Sequence, residues 1–439
     1  MSATQLGPQS DRALWRNGAF VRLWIAQGIS QTAQNAVWYG LLVLVEEQSH
    51  SSTQLGITIL SVIIPSILFG VPAGVYVDRW DKRLVLIATN LARALIVASY
   101  VVLNSVLILL FAVSFLFSVV SQFFGPAELA AIPFLVGRRR LMEATSLFHL
   151  TFTASQVMGL VFLGPLIVKL LGPQTFFVVA AGLYGVCTAL VWALPAQPAD
   201  PAEDGGRSPV GEVLAELREV SDLLLGDRTM LWSMAYWTVG VAITLMVAMI
   251  APRFVVDVLG MTAADTVFIV GPGFGGTVLA AALLTRSGPG DWGKRHALIT
   301  GGLLVVAFAL AMIGGIPLFA RAVGVLRPEG VGLDMLSGGE LLVAGGVMLS
   351  TFVAGLGFTA VMVAAQTSLQ ERAPEDARGR IFAVQLMLGN LFSVIPLLFF
   401  GGVADLIGVS RVMLVMGGAV GCVAAVGRRF APRYSESHG

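Results

Sequence analysis

Hydrophobic residues in this chain form long continuous runs rather than alternating with polar ones. A run of about 20 apolar residues allows a helix to cross the roughly 30 Å hydrocarbon core of a bilayer. Transmembrane strands would instead alternate apolar and polar side chains. Twelve runs are therefore predicted to be membrane-spanning helices, at residues 20–45, 54–77, 84–103, 106–127, 144–170, 174–194, 230–256, 266–286, 296–319, 340–366, 381–404 and 409–428.

Composition excludes most other classes of protein. Of the 439 residues, 56% are hydrophobic and 12% are charged, against about 25% charged in a soluble domain. A soluble enzyme, a nucleic-acid-binding protein or a disordered chain could not carry so much apolar surface. The net charge of +1 offers nucleic acid no attraction, and two cysteines cannot build a disulfide framework or a zinc site. We expect no metal, no cofactor and no removed signal peptide.

Basic residues predict the orientation in the membrane. If the N-terminus is cytoplasmic, the inside segments carry 21 Lys and Arg, the outside segments carry five, and Arg93 lies within a span. This asymmetry is what the positive-inside rule expects. We therefore predict a multi-pass protein of the plasma (inner) membrane with both termini in the cytoplasm.

A polar stretch divides the spans into two sets of six. We predict an N-terminal six-helix bundle at 1–194, a cytoplasmic linker at 195–228 and a C-terminal bundle at 229–439. The linker opens with a flexible run of Pro, Ala, Asp and Gly. Residues 209–225 then form an amphipathic helix, which either lies against a bundle or binds a regulatory partner. Its apolar face comprises Val213, Leu214, Leu217, Val220 and Leu224.

A short repeat supports duplication of the two halves. The sequence from Trp80 to Arg83 is matched, apart from one residue, by that from Trp292 to Arg295. Both segments follow the second span of their half. Two six-helix halves related by an axis along the membrane normal are typical of transporters that bind substrate near the bilayer midplane.

Several motifs resemble one transporter family. The loop with Gly74, Asp78, Arg79, Lys82 and Arg83 resembles the signature of the major facilitator superfamily, with Asp81 where that signature has glycine. Other stretches resemble the bacterial exporter branch that includes enterobactin exporters and macrolide efflux pumps; they lie at 17–24, 126–136, 144–147 and 370–380. The resemblance covers 15–430. It implies an all-α membrane fold of two pseudo-symmetric halves, a monomer, and secondary active transport.

The signature loop suggests a cytoplasmic latch. Asp78 and Arg79 lie where a helix ends, and a charge at the depth of Arg93 needs a partner, for which Asp78 is suitable. One interpretation is a latch that breaks as the halves rock. The alternative is a static anchor of topology. The latch residues would be Gly74, Asp78, Arg79, Lys82, Arg83 and Arg93.

Polar residues of the first span predict a substrate-lining face. Gln27, Gln31, Gln34 and Trp38 follow the spacing i, i+4, i+7 and i+11, which places them on one side of a helix. An amide that faced lipid would lack hydrogen bonds, at a cost of several kcal/mol. These residues therefore either line a wet cavity or bond other helices.

Other spans offer further candidates for substrate contact, because aromatic rings hold flat or cationic ligands and Met adapts to many shapes. Some of them could equally be packing residues. The candidates are Gln122, Gln156, Tyr236, Trp237, Met362, Gln366, Gln385 and Asn390.

Proton coupling stays open. His149 is the one histidine predicted within the membrane, and it is either a proton carrier or a neutral packing residue. Gln34 stands about where the exporter branch often has an acidic residue. All acidic residues, Glu128 included, are expected in loops or near span ends, so we expect no buried central carboxylate.

These features favour a transporter that exports amphipathic or hydrophobic small molecules by alternating access, with H+ as a candidate coupling ion. A lysophospholipid transporter of the same fold is an alternative, and a non-transporting membrane sensor is another. An enzyme is disfavoured because the four histidines are scattered and no metal or nucleophile motif is present.

Overall fold

The computed structural model describes residues 14–103, 106–137, 140–196, 209–284, 292–322, 338–374 and 378–430. Within these ranges the regular structure is helical, as the continuous apolar runs predict. The α-helices are α1 (Gly18–Ser49), α2 (Ser52–Arg79), α3 (Lys82–Leu103), α4 (Leu107–Leu135), α5 (Leu141–Val157), α6 (Gly164–Trp192), α7 (Pro209–Gly226), α8 (Arg228–Leu259), α9 (Thr266–Leu284), α10 (Trp292–Ala322), α11 (Gly338–Arg372), α12 (Arg378–Ile407) and α13 (Val409–Phe430).

The expected twelve membrane helices are present. Ten described stretches are long and apolar enough to cross a bilayer. The longest stretch, Leu141–Trp192, contains α5 and α6 and accounts for two membrane helices. The break between these two membrane helices lies inside α6, at Gly172, whose φ of 78° and ψ of 163° interrupt the helix just before Pro173. This backbone conformation is one that glycine adopts easily. The twelfth membrane helix is α1, which is not among the ten stretches because its polar residues lower its hydropathy.

Helix α4 is longer than the sequence predicts. The expected span ended at residue 127, whereas α4 continues to Leu135. It does so past Pro126 and Pro133, which membrane helices tolerate when neighbouring groups satisfy the freed carbonyls. At its end, the side-chain amide of Asn17 donates a hydrogen bond to the Leu135 carbonyl at 2.6 Å. The last turns of α4 are thus part of the packed bundle.

The chain forms two compact units. Unit 1 comprises Met1–Gln48 and Leu60–Val213, and unit 2 comprises Ser49–Ile59 and Leu214–Gly439. The boundary at 213 falls inside the predicted linker, and the first turns of α2 group with unit 2.

Two arginine side chains bind the carbonyl groups at the end of α6 in unit 1. The last carbonyls of a helix have no partner within the helix. Arg22 donates to the Ala193 carbonyl at 3.0 Å, and Arg83 donates to the Trp192 carbonyl at 2.5 Å. Positive charge also suits the negative end of the helix dipole. Two basic residues used to predict orientation therefore also terminate a helix.

Close helix contacts build unit 2. A Cβ atom at Gly276 of α9 would collide with the Phe352 carbonyl of α11, and one at Gly355 would collide with the Gly273 carbonyl. Such backbone approach is a usual way for membrane helices to associate. The side chain of Arg295, on α10, adds a bidentate ion pair to Glu371 of α11 at 2.5 and 2.7 Å.

Helix α7, Pro209–Gly226, lies where the sequence predicts an amphipathic helix in the linker. Val220 and Leu224 are buried against a cluster that includes Met230 and Ile381. The described part of its apolar face therefore packs against unit 2, which favours the first of the two interpretations. The side chains of Val213, Leu214 and Leu217 lie outside the described residues.

Asp227 joins α7 to the rest of unit 2. Its carboxylate accepts hydrogen bonds from the backbone N–H groups of Thr229 and Met230, which caps α8, and it pairs with Arg372 at 2.8 Å. Partial burial opposes ionisation, but these hydrogen bonds and the Arg372 charge hold the pKa of Asp227 below its usual value.

A second capping carboxylate lies at the other end of the unit 2 helices. Asp405, near the end of α12, accepts hydrogen bonds from the hydroxyls of Ser51 and Thr53 and from the backbone N–H groups of Ser52 and Thr53, at 2.6–3.1 Å. It thereby satisfies free N–H groups at the start of α2. This capping explains why residues 49–59 group with unit 2.

Candidate functional site

The polar face of α1 grades from buried to partly exposed. Gln27 and Gln31 are buried, while Gln34 and Trp38 are half-buried. The amide of Gln27 donates to the Phe148 carbonyl of α5 at 3.2 Å, and its own oxygen has no described hydrogen-bond partner. Gln27 therefore takes part in helix packing, and Gln34 and Trp38 are the members of this face with more free surface.

Arg93 is enclosed within unit 1. Its side chain is 1% exposed. The guanidinium donates to the Ser30 hydroxyl at 3.0 Å, to the Ser121 hydroxyl at 3.1 Å and to the Ser121 carbonyl at 3.4 Å. Its central carbon lies 4.2 Å from the centre of the Phe124 ring and 5.8 Å from that of Tyr184. Neutral hydroxyls and aromatic faces thus hold this charge.

Asp78 was expected to pair with Arg93. The side chain of Asp78 lies outside the described residues, so this pairing stays a prediction. The described partners of Arg93 are those on α1, α4 and α6.

A buried carboxylate overturns one expectation. We expected all acidic residues in loops or near span ends, but Glu128 lies in α4, seven residues before its end, and is 3% exposed. The prediction was wrong because the predicted span, residues 106–127, has 22 residues, whereas α4 has 29 and ends at Leu135. Glu128 interacts electrostatically with Arg93.

The remaining signature residues lie at the end of α2 and the start of α3. Arg79 is exposed and Lys82 is buried. Arg83 is engaged at the end of α6, as described above. A Cβ at Gly74 would meet no atom within 4 Å. A latch role for these residues stays a prediction.

In unit 2, two aromatic candidates are used in packing. The Tyr236 hydroxyl lies 3.1 Å from Nε2 of buried His296, which in turn lies 3.2 Å from the Gly427 carbonyl. The Trp237 ring covers Gly389, where a Cβ would lie 2.6 Å from Cζ3 of the ring. Ligand contact by either ring would have to involve its remaining surface.

Two amide candidates come together in a cavity of unit 2. Gln385 of α12 donates to the side-chain oxygen of Gln366 of α11 at 2.7 Å. Gln385 is fully buried, and its own oxygen has no described hydrogen-bond partner. The pair lines a cavity of about 350 Å³ that also contacts Thr367, Ile381 and Phe382. Because this oxygen is itself buried, a donor group on a ligand would reach it only after the Gln385 side chain moved.

The remaining candidate residues lie outside this cavity. Gln122 donates to the Ser118 carbonyl of its own helix at 3.3 Å, and Met362 and Asn390 are half-buried. His149 and Gln156 are exposed on α5. Among the described residues, no group of three His, Cys, Asp or Glu side chains could hold a metal ion.

Several residues that surround Arg93 in the interior of unit 1 were not predicted from the sequence, although their helical spacing indicates a common face. Ser121, Phe124 and Glu128 follow the spacing i, i+3 and i+7, and Asn90 and Arg93 follow i and i+3. Each set marks one helix face. Asn90 takes part through its side-chain oxygen, which accepts from the Ser30 hydroxyl at 3.3 Å.

The family follows from comparison with known sequences. The model of the Major Facilitator Superfamily matches residues 23–395. The chain belongs to the Major Facilitator Superfamily. It is therefore a multi-pass membrane transporter, and members of this superfamily are not enzymes in general.

Individual relatives agree with the exporter resemblance. The MFS-type transporter YfiS of Bacillus subtilis is 24% identical, with 96% of each chain covered. Macrolide efflux protein A of Streptococcus pyogenes is 22% identical over 93% of this chain and 94% of that protein. The predicted resemblance to macrolide efflux pumps is confirmed.

Solved structures of other transporters share the fold. The nucleoside transporter NupG is 13% identical with a TM-score of 0.67, and it covers 94% of this chain and 98% of its own. A bacterial homologue of the lysosomal transporter Spinster is 14% identical with a TM-score of 0.68, covering 97% and 98%. At these identities the likeness concerns the fold alone.

Proposed function

We propose that this Major Facilitator Superfamily transporter exports amphipathic or hydrophobic small molecules by alternating access. The observation that carries the proposal is the neutral character of the candidate ligand residues. Gln34 and Trp38 retain free surface in unit 1, and Gln366 and Gln385 line a cavity in unit 2. Amides and aromatic rings suit ligands that carry little charge.

The enclosure of Arg93 supports the same substrate class. An anionic substrate such as a phosphate would need a basic side chain exposed in its binding site. Arg93 is 1% exposed and its guanidinium is occupied by Ser30, Ser121 and an aromatic face. The sequence similarity to a macrolide efflux protein supports large amphipathic ligands.

We propose that the residues of the signature loop act as a cytoplasmic latch in the same cycle. Asp78, Arg79 and Lys82 would form it when the transporter faces outward. Arg83 already binds a helix end in this structure. The cytoplasmic location of both termini, the inner membrane and the monomeric state belong to this proposal.

The test uses radiolabelled erythromycin, a macrolide, with purified protein in liposomes. Gln385→Ala should weaken erythromycin binding because it removes one neutral hydrogen-bonding group, worth about 0.5–1.5 kcal/mol. This energy corresponds to a roughly 2- to 12-fold rise in Kd. Gln34→Ala should act in the same direction. Binding is measured by scintillation proximity, and transport by filtration.

Gln174→Ala is the matched control, because Gln174 is an exposed glutamine outside the candidate set. Erythromycin uptake no greater than in protein-free liposomes would overturn the proposal for macrolides. Uptake of a fluorescent lysophospholipid under the same conditions would instead support the lipid-transporter alternative. Equal binding by wild type, Gln34→Ala and Gln385→Ala would assign both amides to packing.

A further inference from the structure

The interior of unit 1 contains a carboxylate that its neighbours do not satisfy. Glu128 is 3% exposed, and its Oε1 atom has no hydrogen-bond partner among the described residues. A buried polar atom without a partner is expensive, and a buried ionised carboxylate is more so. Natural proteins retain such groups chiefly where they have a function.

The groups that interact with Glu128 come from other helices. Arg93 of α3 and the buried Cys187 of α6 interact with it electrostatically, and the buried Tyr184 of α6 lies against Arg93. Arg93 is therefore the one ordinarily charged group among these described neighbours. The other polar groups of this region, Ser30 and Ser121, are neutral hydroxyls that bond the guanidinium.

Arg93 is held in place independently of Glu128. Ser30 and Ser121 accept three hydrogen bonds from the guanidinium, and Phe124 lies against its face. A guanidinium has five N–H donors, so two remain. Within the described residues, Arg93 and Glu128 make no ion pair, which would require a nitrogen–oxygen distance of 4.0 Å or less. The arginine can therefore keep its position whether Glu128 is charged or neutral.

This arrangement makes two protonation states of Glu128 accessible. Exclusion from water favours the neutral acid, and the nearby fixed positive charge favours the carboxylate. Small movements of α3 against α4 would change the balance between these opposing effects. A group whose proton affinity depends on helix position is what couples proton movement to a conformational cycle.

We propose that Glu128 is the proton-binding site of this transporter and that Arg93 is its fixed counter-charge. In the proposed step, a proton from water on one side forms an O–H bond at Oε1 of Glu128. When the helices move, the same proton leaves to water on the other side. The inference rests on the proposed export function, since it names the ion exchanged for the substrate. His149, the candidate from the sequence, is exposed on α5.

The transport test compares wild type with Glu128→Gln, which mimics the protonated acid. Proteoliposomes with an imposed gradient of one pH unit can drive about tenfold accumulation of labelled erythromycin for one coupled proton. Glu128→Gln should lose this accumulation while still exchanging labelled for unlabelled erythromycin. Glu143→Gln is the matched control, because Glu143 is exposed and pairs with Arg140. It should accumulate erythromycin as wild type does.

A second readout needs no substrate. Infrared difference spectra of the reconstituted protein between alkaline and acidic pH contain C=O bands from every carboxyl that gains a proton, and the chain has 26 Asp and Glu residues. Subtracting the spectrum of Glu128→Gln from that of wild type, or from that of Glu143→Gln, should therefore leave one protonated-carboxyl component. Glu128→Asp should retain this component with a displaced midpoint. Glu128→Asp also serves if Glu128→Gln does not fold.

The outcomes separate the two proposals. Gradient-driven accumulation by Glu128→Gln equal to wild type, or a spectrum unchanged by the substitution, would overturn the assignment of Glu128. If wild type transports no erythromycin, the proposed macrolide export fails, and the infrared titration still decides whether Glu128 binds a proton.

Discussion

Unit 1 and unit 2 share a helical architecture but differ in what holds their interiors together. Around Arg93, unit 1 assembles a guanidinium, a carboxylate and several hydroxyls from four helices. Both units contain close glycine contacts, such as Gly159 against the Thr32 carbonyl in unit 1 and Gly276 against α11 in unit 2. The interior of unit 2 is also held by neutral pairs such as Gln366 with Gln385. Among its described residues, the buried carboxylate that unit 2 does contain, Asp265, closes a capping box at a helix end.

This difference suggests a division of labour between the units. Neutral pairs such as Gln366 with Gln385 change little with pH or membrane potential. An interior with an arginine and an unsatisfied carboxylate responds to both. We therefore expect ion coupling to depend on unit 1, and substitutions inside unit 2 to affect folding and ligand affinity instead.

The largest expected effect is from Arg93→Met. Methionine fills the space but removes three hydrogen bonds from a charged donor, each worth about 1.5–3 kcal/mol, together with the positive charge that acts on Glu128. Thermal unfolding in detergent should show a strongly destabilised protein at neutral pH. The corresponding substitution in unit 2, Gln385→Met, removes a neutral hydrogen bond and should cost only about 1 kcal/mol.

The double variant Arg93→Met, Glu128→Gln provides the control for that comparison. Removing both charges should restore part of the stability lost in Arg93→Met, because no uncompensated carboxylate remains. Equal losses in Arg93→Met and Gln385→Met would show that the charge in unit 1 is unimportant to its stability.

A smaller effect is expected from Gly276→Val in unit 2. The added side chain would collide with the Phe352 carbonyl and force α9 from α11, at a cost of about 1–3 kcal/mol. The melting temperature and the yield of monodisperse protein should both fall. Gly301→Val is the matched control, because a Cβ at Gly301 meets no atom within 4 Å. If both variants behave alike, glycine contacts do not hold unit 2 together.

The smallest effect concerns Asp227→Asn, which preserves a good capping residue but removes the charge facing Arg372. We expect a loss of less than about 1 kcal/mol at neutral pH. The pKa of Asp227 is lowered in the folded protein, so its stabilisation is present above its unfolded pKa and is lost as pH falls through the folded value. The difference between the melting temperatures of the two proteins should therefore begin to shrink as the pH falls below about 4. A difference that stays constant as the pH is lowered from about 5 to about 2 would argue against a charge effect.

Much of the fold could be predicted because membrane helices need long apolar runs, and these are visible residue by residue. The break near Gly172 was predicted from the gap between two such runs. Helix α7 was predicted from apolar residues spaced along one helix face. The position of Glu128 was not, since counting 20 residues for a span does not show where a helix stops. Helix length depends on tertiary partners such as Asn17, which lies 118 residues away from Leu135 in sequence.

The candidate site was predictable only in part, for a similar reason. Periodicity placed Gln27 and Gln34 on one face of α1, but it could not assign one to helix packing and leave the other partly exposed. The pairing of Tyr236 with His296 joins helices 60 residues apart in the chain. Contacts of this range depend on how helices associate, which local sequence does not specify.

The two arginines that bind the end of α6 constrain how the sequence of this protein can evolve. Membrane insertion counts positive charge and treats lysine and arginine alike. A helix terminus is different, because Arg22 and Arg83 reach adjacent carbonyls with planar, directional donors that an ammonium group reproduces poorly. An exchange to lysine at either position should leave the protein threaded the same way through the bilayer yet loosen the last turn of one helix. Orientation and local order, although encoded by the same side chains, are thus open to separate selection.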